Sequence, residues 1–208
     1  MNIKIIDNFL NKEDFQELCA LKLKKISDNE IAVYHNSIDK NNKVDSECLG
    51  HDVVRRLYKN NHQRAINLLN ELNPKKVDLY EYSEFHIIEI GRNYKFPIHD
   101  DTPNKLLSGV IYLRPEKNLG TIFYKNKNGE DRNETEWKQN RAVFFSRSER
   151  ETWHSYEADG KQNRIALVYN LMTNKIKKVC EIENKSYLFV KIRYLINPYL
   201  LRFLKFTI

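Results

Sequence analysis

The most informative chemical pattern in the chain is a histidine and an acidic residue two positions apart in the segment KFPIHDD. Residues i and i+2 of an extended strand project from one face, so His99 and Asp101 should lie together while Asp100 points away. A second imidazole from elsewhere would complete a metal site, and His154, in TWHSY after the apolar run RAVFF, is the candidate. Two nitrogens and one carboxylate leave three coordination positions open, which suits Fe(II) with O₂ and a chelating co-substrate.

Arg164 is the second chemical candidate, because it opens the predicted strand RIALVYNL ten residues after His154. Arg164, Ala166, Val168 and Asn170 share one face of that strand. A cation among small residues suits the interior of a ligand-holding barrel, where a guanidinium can hold a carboxylate through two parallel hydrogen bonds. At this point a surface His–Asp pair and a solvated arginine at a strand end remain open alternatives. Trp153 can likewise wall a substrate site or simply pack at a strand end.

Two helices precede these residues in the sequence pattern. A helix is predicted over 11–26, with Asn11 as its cap, and a second over 51–72, which Pro74 ends. The intervening 28–50 is polar and turn-rich, and it is predicted to be a long loop or irregular excursion.

The pattern changes after Pro74 to short β-branched and aromatic runs separated by polar turns. Six such runs without helices between them predict antiparallel β structure, either a sandwich or a barrel. The polar stretch 125–140 is predicted to be an exposed hairpin or lid. The six runs are VDLYEY, FHIIEIG, LLSGVIYL, GTIFY, RAVFF and RIALVYNL.

Charge is concentrated at the C-terminus of the 208-residue chain. The chain has 35 Lys and Arg against 28 Asp and Glu, and eight bases with two acids in 174–208 account for +6 of the net +7. The remaining body is nearly neutral, which argues against a basic nucleic-acid groove.

Three cysteines without paired spacing predict reduced thiols in a cytoplasmic protein. The opening residues lack the pattern of a secretion signal, and no uncharged apolar run reaches about 18 residues, so no membrane span is predicted.

The segment from Phe85 to Leu171 resembles the Fe(II)/2-oxoglutarate-dependent dioxygenases, and most of all their prolyl 4-hydroxylase branch. The resemblance is carried by His99-x-Asp101, by SGVIYL ending at Tyr112-Leu113, by NLGTIFY, by RAVFFSRSERETWHSY with His154, and by NRIALVYNL with Arg164. The opening IIDNFLNKEDFQEL also resembles the helical lead-in of such enzymes. About two-thirds of the chain is covered.

The resemblance implies an α+β, mainly β fold: a double-stranded β-helix (a jelly-roll, cupin-like barrel) with N-terminal helices packed on it. Residues 1–75 would form the helical lead-in and polar loop of this domain, 76–173 its dioxygenase core, and 174–208 a basic amphipathic C-terminal extension.

The resemblance also implies a site. His99, Asp101 and His154 would be the iron ligands at the catalytic centre, Arg164 would bind the distal carboxylate of 2-oxoglutarate, and Tyr112 would donate its hydroxyl to that carboxylate. The implied cofactors are Fe(II), the co-substrate 2-oxoglutarate and O₂, with ascorbate as a candidate reductant. The implied reaction couples decarboxylation of 2-oxoglutarate to succinate and CO₂ with hydroxylation of an unidentified substrate, a protein side chain or small molecule, for which a peptidyl proline is one candidate.

Two residues depart from the family pattern. Glu89 stands where prolyl hydroxylases often have tyrosine, and Asn170 where relatives often have a bulky aromatic, so both bear on the substrate more than on the reaction class. Asp101 favours hydroxylation over halogenation. The alternatives are a non-catalytic jelly-roll binding module and a nucleic-acid demethylase of the same superfamily. The demethylases usually carry a second arginine where this chain has Asn170.

The family does not explain the C-terminal segment 186–208, SYLFVKIRYLINPYLLRFLKFTI. It predicts two short amphipathic helices divided at Asn197-Pro198. We expect it to pack on the N-terminal helices or on a second subunit in a homodimer. The alternative is peripheral contact with anionic lipid or an acidic partner.

Overall fold

The computed structural model describes residues 2–193. Its helices are α1 (Lys12–Cys19), α2 (His51–Leu72), a 3₁₀ helix (Pro74–Leu79) and α3 (Ile176–Ile182). Residues 187–193 are also helical. The strands are β1 (Ile3–Ile6), β2 (Ile31–Tyr34), β3 (Asn36–Asp39), β4 (Val44–Ser46), β5 (Tyr82–Ile90), β6 (Lys95–His99), β7 (Lys105–Arg114), β8 (Thr121–Tyr124), β9 (Asn133–Glu134), β10 (Ala142–Phe145), β11 (Trp153–Glu157) and β12 (Arg164–Met172).

The strands form two antiparallel sheets. The larger has the order β1-β10-β7-β12-β5-β3-β4, with β2 also paired to β5, and the smaller has the order β6-β11-β8-β9. From β5 to β12 the chain passes back and forth: β5, β7, β10 and β12 lie in the larger sheet and the other four in the smaller. This is an eight-stranded double-stranded β-helix, as predicted.

The helices cover the outer face of the larger sheet. Val54, Leu57 and Leu69 of α2 are fully buried in one apolar cluster with outward side chains of the sheet such as Ile87 and Leu167. Because the main core lies outside the sheet, the space between the two sheets is left to a smaller aromatic cluster and to the site. The predicted packing of N-terminal helices on the barrel is confirmed.

The second helix has the predicted bounds, but the first is shorter than predicted. Asn11 caps α1 by accepting a hydrogen bond from the Asp14 amide at 2.8 Å, yet α1 ends at Cys19 rather than near residue 26. The next residues alternate between exposed lysines and partly buried Leu21 and Leu23. A period of two fits an extended chain along the core better than another helical turn.

The prediction of a loop over 28–50 is wrong, because β2, β3 and β4 lie there. They are short strands added at the β5 edge, where polar side chains can face water while the backbone is hydrogen-bonded. One buried residue organises them: the Asn36 side-chain amide donates to the Phe85 carbonyl at 2.9 Å, and its oxygen accepts from the Ser46 hydroxyl at 2.7 Å.

Two predictions for the core also need correction. VDLYEY is not a strand of its own, because 77–79 complete the 3₁₀ helix and β5 starts at Tyr82. The stretch 125–140 is not wholly an exposed hairpin or lid, since β9 pairs with β8 and both Thr135 and Trp137 are buried.

Of the C-terminal segment 186–208, the structure describes 186–193. Its helical part bears exposed Leu188 and Phe189, and Arg193 pairs with Asp100 and Glu149. The division at Asn197-Pro198 lies outside the described residues. Within 2–193, the helices are too short or too polar to cross a membrane, and the three cysteines are free thiols.

Candidate active site

His99, Asp101 and His154 meet between the two sheets. His99 is the last residue of β6 and lies opposite His154 of β11, with ring centroids 4.2 Å apart. One ligand atom from each of the three residues lies within 4.8 Å of the others. Nδ1 of His99 is 2.9 Å from the Pro97 carbonyl, and Nδ1 of His154 is 2.9 Å from the Thr152 carbonyl. Since a carbonyl only accepts, each Nδ1 donates and each Nε2 is available to a metal.

The protonation states suit a cation. Burial lowers the pKa of His99 to about 3 and also lowers the pKa of His154. Burial acts to raise the pKa of Asp101, but the positive charge of Lys105 and its hydrogen bond to the carboxylate outweigh burial and hold that pKa well below its usual range. At neutral pH the set is therefore two neutral imidazoles and one carboxylate, the forms that bind metal.

Asp101 is held at both oxygens. Lys105 Nζ donates to Oδ1 at 2.6 Å, and the Ser108 hydroxyl donates to Oδ2 at 2.6 Å. Asp100 faces elsewhere, as its position predicted: it accepts hydrogen bonds from Arg193 and from the Arg150 amide. His99 and Asp101 therefore lie where the chain leaves β6 and turns into β7, and His154 joins them from β11.

Arg164 lies in a second, buried part of the same space. It is 3% exposed, and its guanidinium carbon lies 5.1 Å from the ring centroids of Trp137 and Tyr156 and 5.6 Å from that of Tyr112. Its Nε and Nη2 have no hydrogen-bond partner within the described residues, and burial lowers its pKa. Unpaired buried N–H groups are costly, so this aromatic-walled pocket fits an anion that accepts from both nitrogens.

Tyr112 forms one wall of the Arg164 pocket. Its ring stacks on Trp137 at 4.4 Å, and its hydroxyl accepts from the Thr121 amide at 2.8 Å and lies 2.6 Å from Thr135 Oγ1. These contacts fix the ring against the guanidinium. Contact between the Tyr112 hydroxyl and a co-substrate stays a prediction.

Strand register decides where the two departures from the family pattern lie. Asn170 shares the inner face with Arg164, and its amide donates to Glu84 at 3.2 Å. Glu89 lies opposite Ile165 in the β5–β12 ladder and therefore on the other face from Arg164. It accepts a hydrogen bond from Asn163 at 2.9 Å. Asn170 thus faces the interior, whereas Glu89 does not.

Sequence reasoning missed Lys105 and Ser108. Their only signal is position, four and seven residues after Asp101 at the start of the next strand. That spacing indicates a contact only once the turn between β6 and β7 is known.

The fold is similar to several solved structures. A prolyl-4-hydroxylase from Pseudomonas putida aligns with TM-score 0.54 and 15% identity over 83% of this chain and 92% of that one. An oxidoreductase of the 2OG-Fe(II) oxygenase family from Burkholderia pseudomallei aligns with TM-score 0.57 and 13% identity over 82% and 85%. The chain has the fold of these oxygenases. A prolyl hydroxylase from Trichoplax adhaerens, solved with a peptide fragment of hypoxia inducible factor, shares this oxygenase fold with TM-score 0.52 and 14% identity over 84% and 85%. No family model matches the chain, and no curated protein matches it in sequence.

Proposed function

We propose that the protein is an Fe(II)- and 2-oxoglutarate-dependent dioxygenase that hydroxylates its substrate. The observation that carries this proposal is the pairing of a deprotonated metal-ligand set with a buried, unpartnered guanidinium in one space. Tyr156 connects the two, since its ring centroid lies 6.5 Å from that of His99 and 5.1 Å from the Arg164 guanidinium. A co-substrate that chelates a metal at one end and carries a carboxylate at the other fits this pair of sites.

The residues of this site fit Fe(II) and 2-oxoglutarate. His99, Asp101 and His154 would hold Fe(II) and leave three positions open. Bound iron supplies the oxidising chemistry: O₂ and 2-oxoglutarate are consumed, succinate and CO₂ are released, and one oxygen atom enters a C–H bond of the substrate. Arg164 would hold the distal carboxylate, and the rings of Tyr112, Trp137 and Tyr156 would exclude water around it.

The second part of the proposal concerns the substrate. The prolyl hydroxylase neighbours make a peptidyl proline the first substrate to test, with ascorbate added to the assay as reductant. Asn170 on the inner face makes this pocket more polar than one lined by an aromatic residue, so small-molecule substrates belong in the same screen.

Anaerobic titration of Fe(II) and 2-oxoglutarate tests the cofactor site. We expect a weak visible metal-to-ligand charge-transfer band, which His154→Ala abolishes by removing a ligand. Arg164→Lys keeps the charge but loses the two-pronged contact, so it should weaken 2-oxoglutarate binding about tenfold. Arg55→Ala, an exposed arginine on α2, is the control and should leave the band unchanged. Folded wild-type protein that gives no band at millimolar 2-oxoglutarate would contradict the proposal.

A further inference from the structure

A cavity of about 580 Å³ opens beside the triad and reaches His99. It is distinct from the buried Arg164 pocket, because Arg164 does not line it. Its charged lining consists of Lys127, Arg150, Arg193 and Asp100, and Trp153 supplies an aromatic wall. A cavity of this size next to the metal ligands is where a substrate would bind.

The acid in this lining is already neutralised. Arg193 Nη2 lies 2.5 Å from Asp100 Oδ1, and the Arg150 backbone amide donates to Asp100 Oδ2 at 3.0 Å. Arg193 also pairs with Glu149. In contrast, the side chains of Lys127 and Arg150 have no ion-pair or hydrogen-bond partner in the part of the chain that the structure describes. The cavity mouth therefore carries two uncompensated positive charges.

The backbone conformation that presents Arg150 to this cavity costs free energy. Arg150 has φ 62°, the left-handed region that favours glycine or asparagine. Its carbonyl accepts a hydrogen bond from the Trp153 indole nitrogen at 3.0 Å, which fixes the ring one residue before His154. An exposed guanidinium, an exposed ammonium and a fixed indole thus surround one opening.

We propose that this cavity binds an anionic group of the substrate, a carboxylate or phosphate held by Arg150 and Lys127, with a planar or apolar part against Trp153. The inference rests on the proposed function and adds the chemical class of its substrate. Unpaired cations at the mouth of a cleft concentrate anions and attract them from solution. A bound anion there would fix the adjoining part of the molecule beside His99. The anionic group can belong to a small molecule or to an acidic residue near the target in a peptide.

Binding of matched small probes to the full chain tests this inference without metal turnover. The chain has two tryptophans, so its two indole N–H signals in a ¹H–¹⁵N spectrum distinguish the cavity, through Trp153, from the Arg164 pocket, through Trp137. The Trp153→Phe variant assigns them. Phenyl phosphate should shift the Trp153 signal in a saturable and salt-sensitive manner, whereas benzylamine at equal concentration should not.

Variants locate the contact. Lys127→Gln combined with Arg150→Gln should weaken phenyl phosphate binding at least tenfold. The matched control combines Lys161→Gln with Arg55→Gln, which makes the same change in net charge at exposed positions elsewhere. Equal weakening in both double variants, or equal binding of benzylamine, would overturn the inference. A phosphate shift confined to Trp137 would also overturn it, while leaving the Fe(II) and 2-oxoglutarate proposal intact.

A competition experiment with peptides identifies the source of the anion. Prolyl peptides flanked by Asp should displace phenyl phosphate if the anion comes from a peptide, and the same peptides flanked by Lys should not. If neither peptide displaces phenyl phosphate bound at Trp153, the anion comes from a small acid. Displacement by the Lys-flanked peptide would contradict anion selectivity altogether.

Discussion

Asp101 is the triad residue whose ligand atoms already have hydrogen-bond partners. It is buried, and Lys105 and Ser108 each occupy one of its oxygens. A metal that binds Oδ1 competes with the Lys105 ammonium for the same lone pairs, whereas the Ser108 hydroxyl can stay on Oδ2 and orient the carboxylate. Lys105 therefore stabilises the Asp101 carboxylate when no metal is bound, and Ser108 orients that carboxylate with or without metal.

These two residues should change metal affinity in opposite directions. Lys105→Met removes a competing cation and should raise Co(II) affinity about tenfold, while Ser108→Ala should lower it about tenfold through lost orientation of the ligand. Anaerobic competition titration against a chelator measures both. Ser186→Ala, at an exposed serine, is the control and should change nothing. A lower affinity in Lys105→Met would mean that the lysine holds Asp101 in its ligating position instead of competing for it.

At the scale of elements, a buried ion cluster joins the C-terminal extension to the barrel. Glu183, at the end of α3, accepts from Lys76 at 2.6 Å and from Arg147 at 2.7 Å, and Arg147 also pairs with Glu149. Lys76 is fully buried and Arg147 is 1% exposed, and burial lowers the pKa of Lys76. Glu149 then pairs with Arg193 next to Asp100. The extension is thus anchored to the turn that carries Asp101.

Removing the shared acid should destabilise the protein strongly. Glu183→Gln leaves buried Lys76 without a carboxylate and leaves Arg147 with Glu149 alone, so the free energy of unfolding should fall by about 3 kcal/mol. Urea unfolding followed by circular dichroism measures this fall. Glu181→Gln, on the same helix but exposed, should stay within about 0.5 kcal/mol of wild type. Equal stability of the two variants would show that the cluster contributes nothing to folding.

Elements with a strong periodic pattern could be predicted from sequence. The 51–72 helix, the antiparallel strands and the His99–Asp101 pair follow from local spacing. The strands β2–β4 could not, because polar edge strands depend on pairing with β5, and Asn36 gives no local signal for the seven hydrogen bonds of its side chain. The face of the sheet on which Glu89 lies could not be predicted either, for a related reason. Both faces of β5 mix apolar and polar residues, so alternation alone does not tell which face is inner until the register against β12 is known.

At the scale of the whole molecule, the site joins the two sheets. His99 and His154 belong to the smaller sheet, whereas Arg164 opens β12 of the larger sheet and Asp101 leads into β7 of the same sheet. A co-substrate that chelates a metal at the triad and reaches Arg164 would connect both halves of the barrel. Its stabilising effect should therefore depend on the metal.

Thermal unfolding measures this coupling. With Co(II) bound, 2-oxoglutarate at a hundred times its Kd should add about 2.7 kcal/mol of stability, which raises the Tm of a chain of this size by about 5–10 °C. Without metal the same concentration should raise it far less, because the chelating end has no partner. Arg164→Ala should keep the shift caused by Co(II) and lose the further shift caused by 2-oxoglutarate. An equal 2-oxoglutarate shift with and without metal would contradict a co-substrate that spans the two sheets, and would assign its binding to the Arg164 pocket alone.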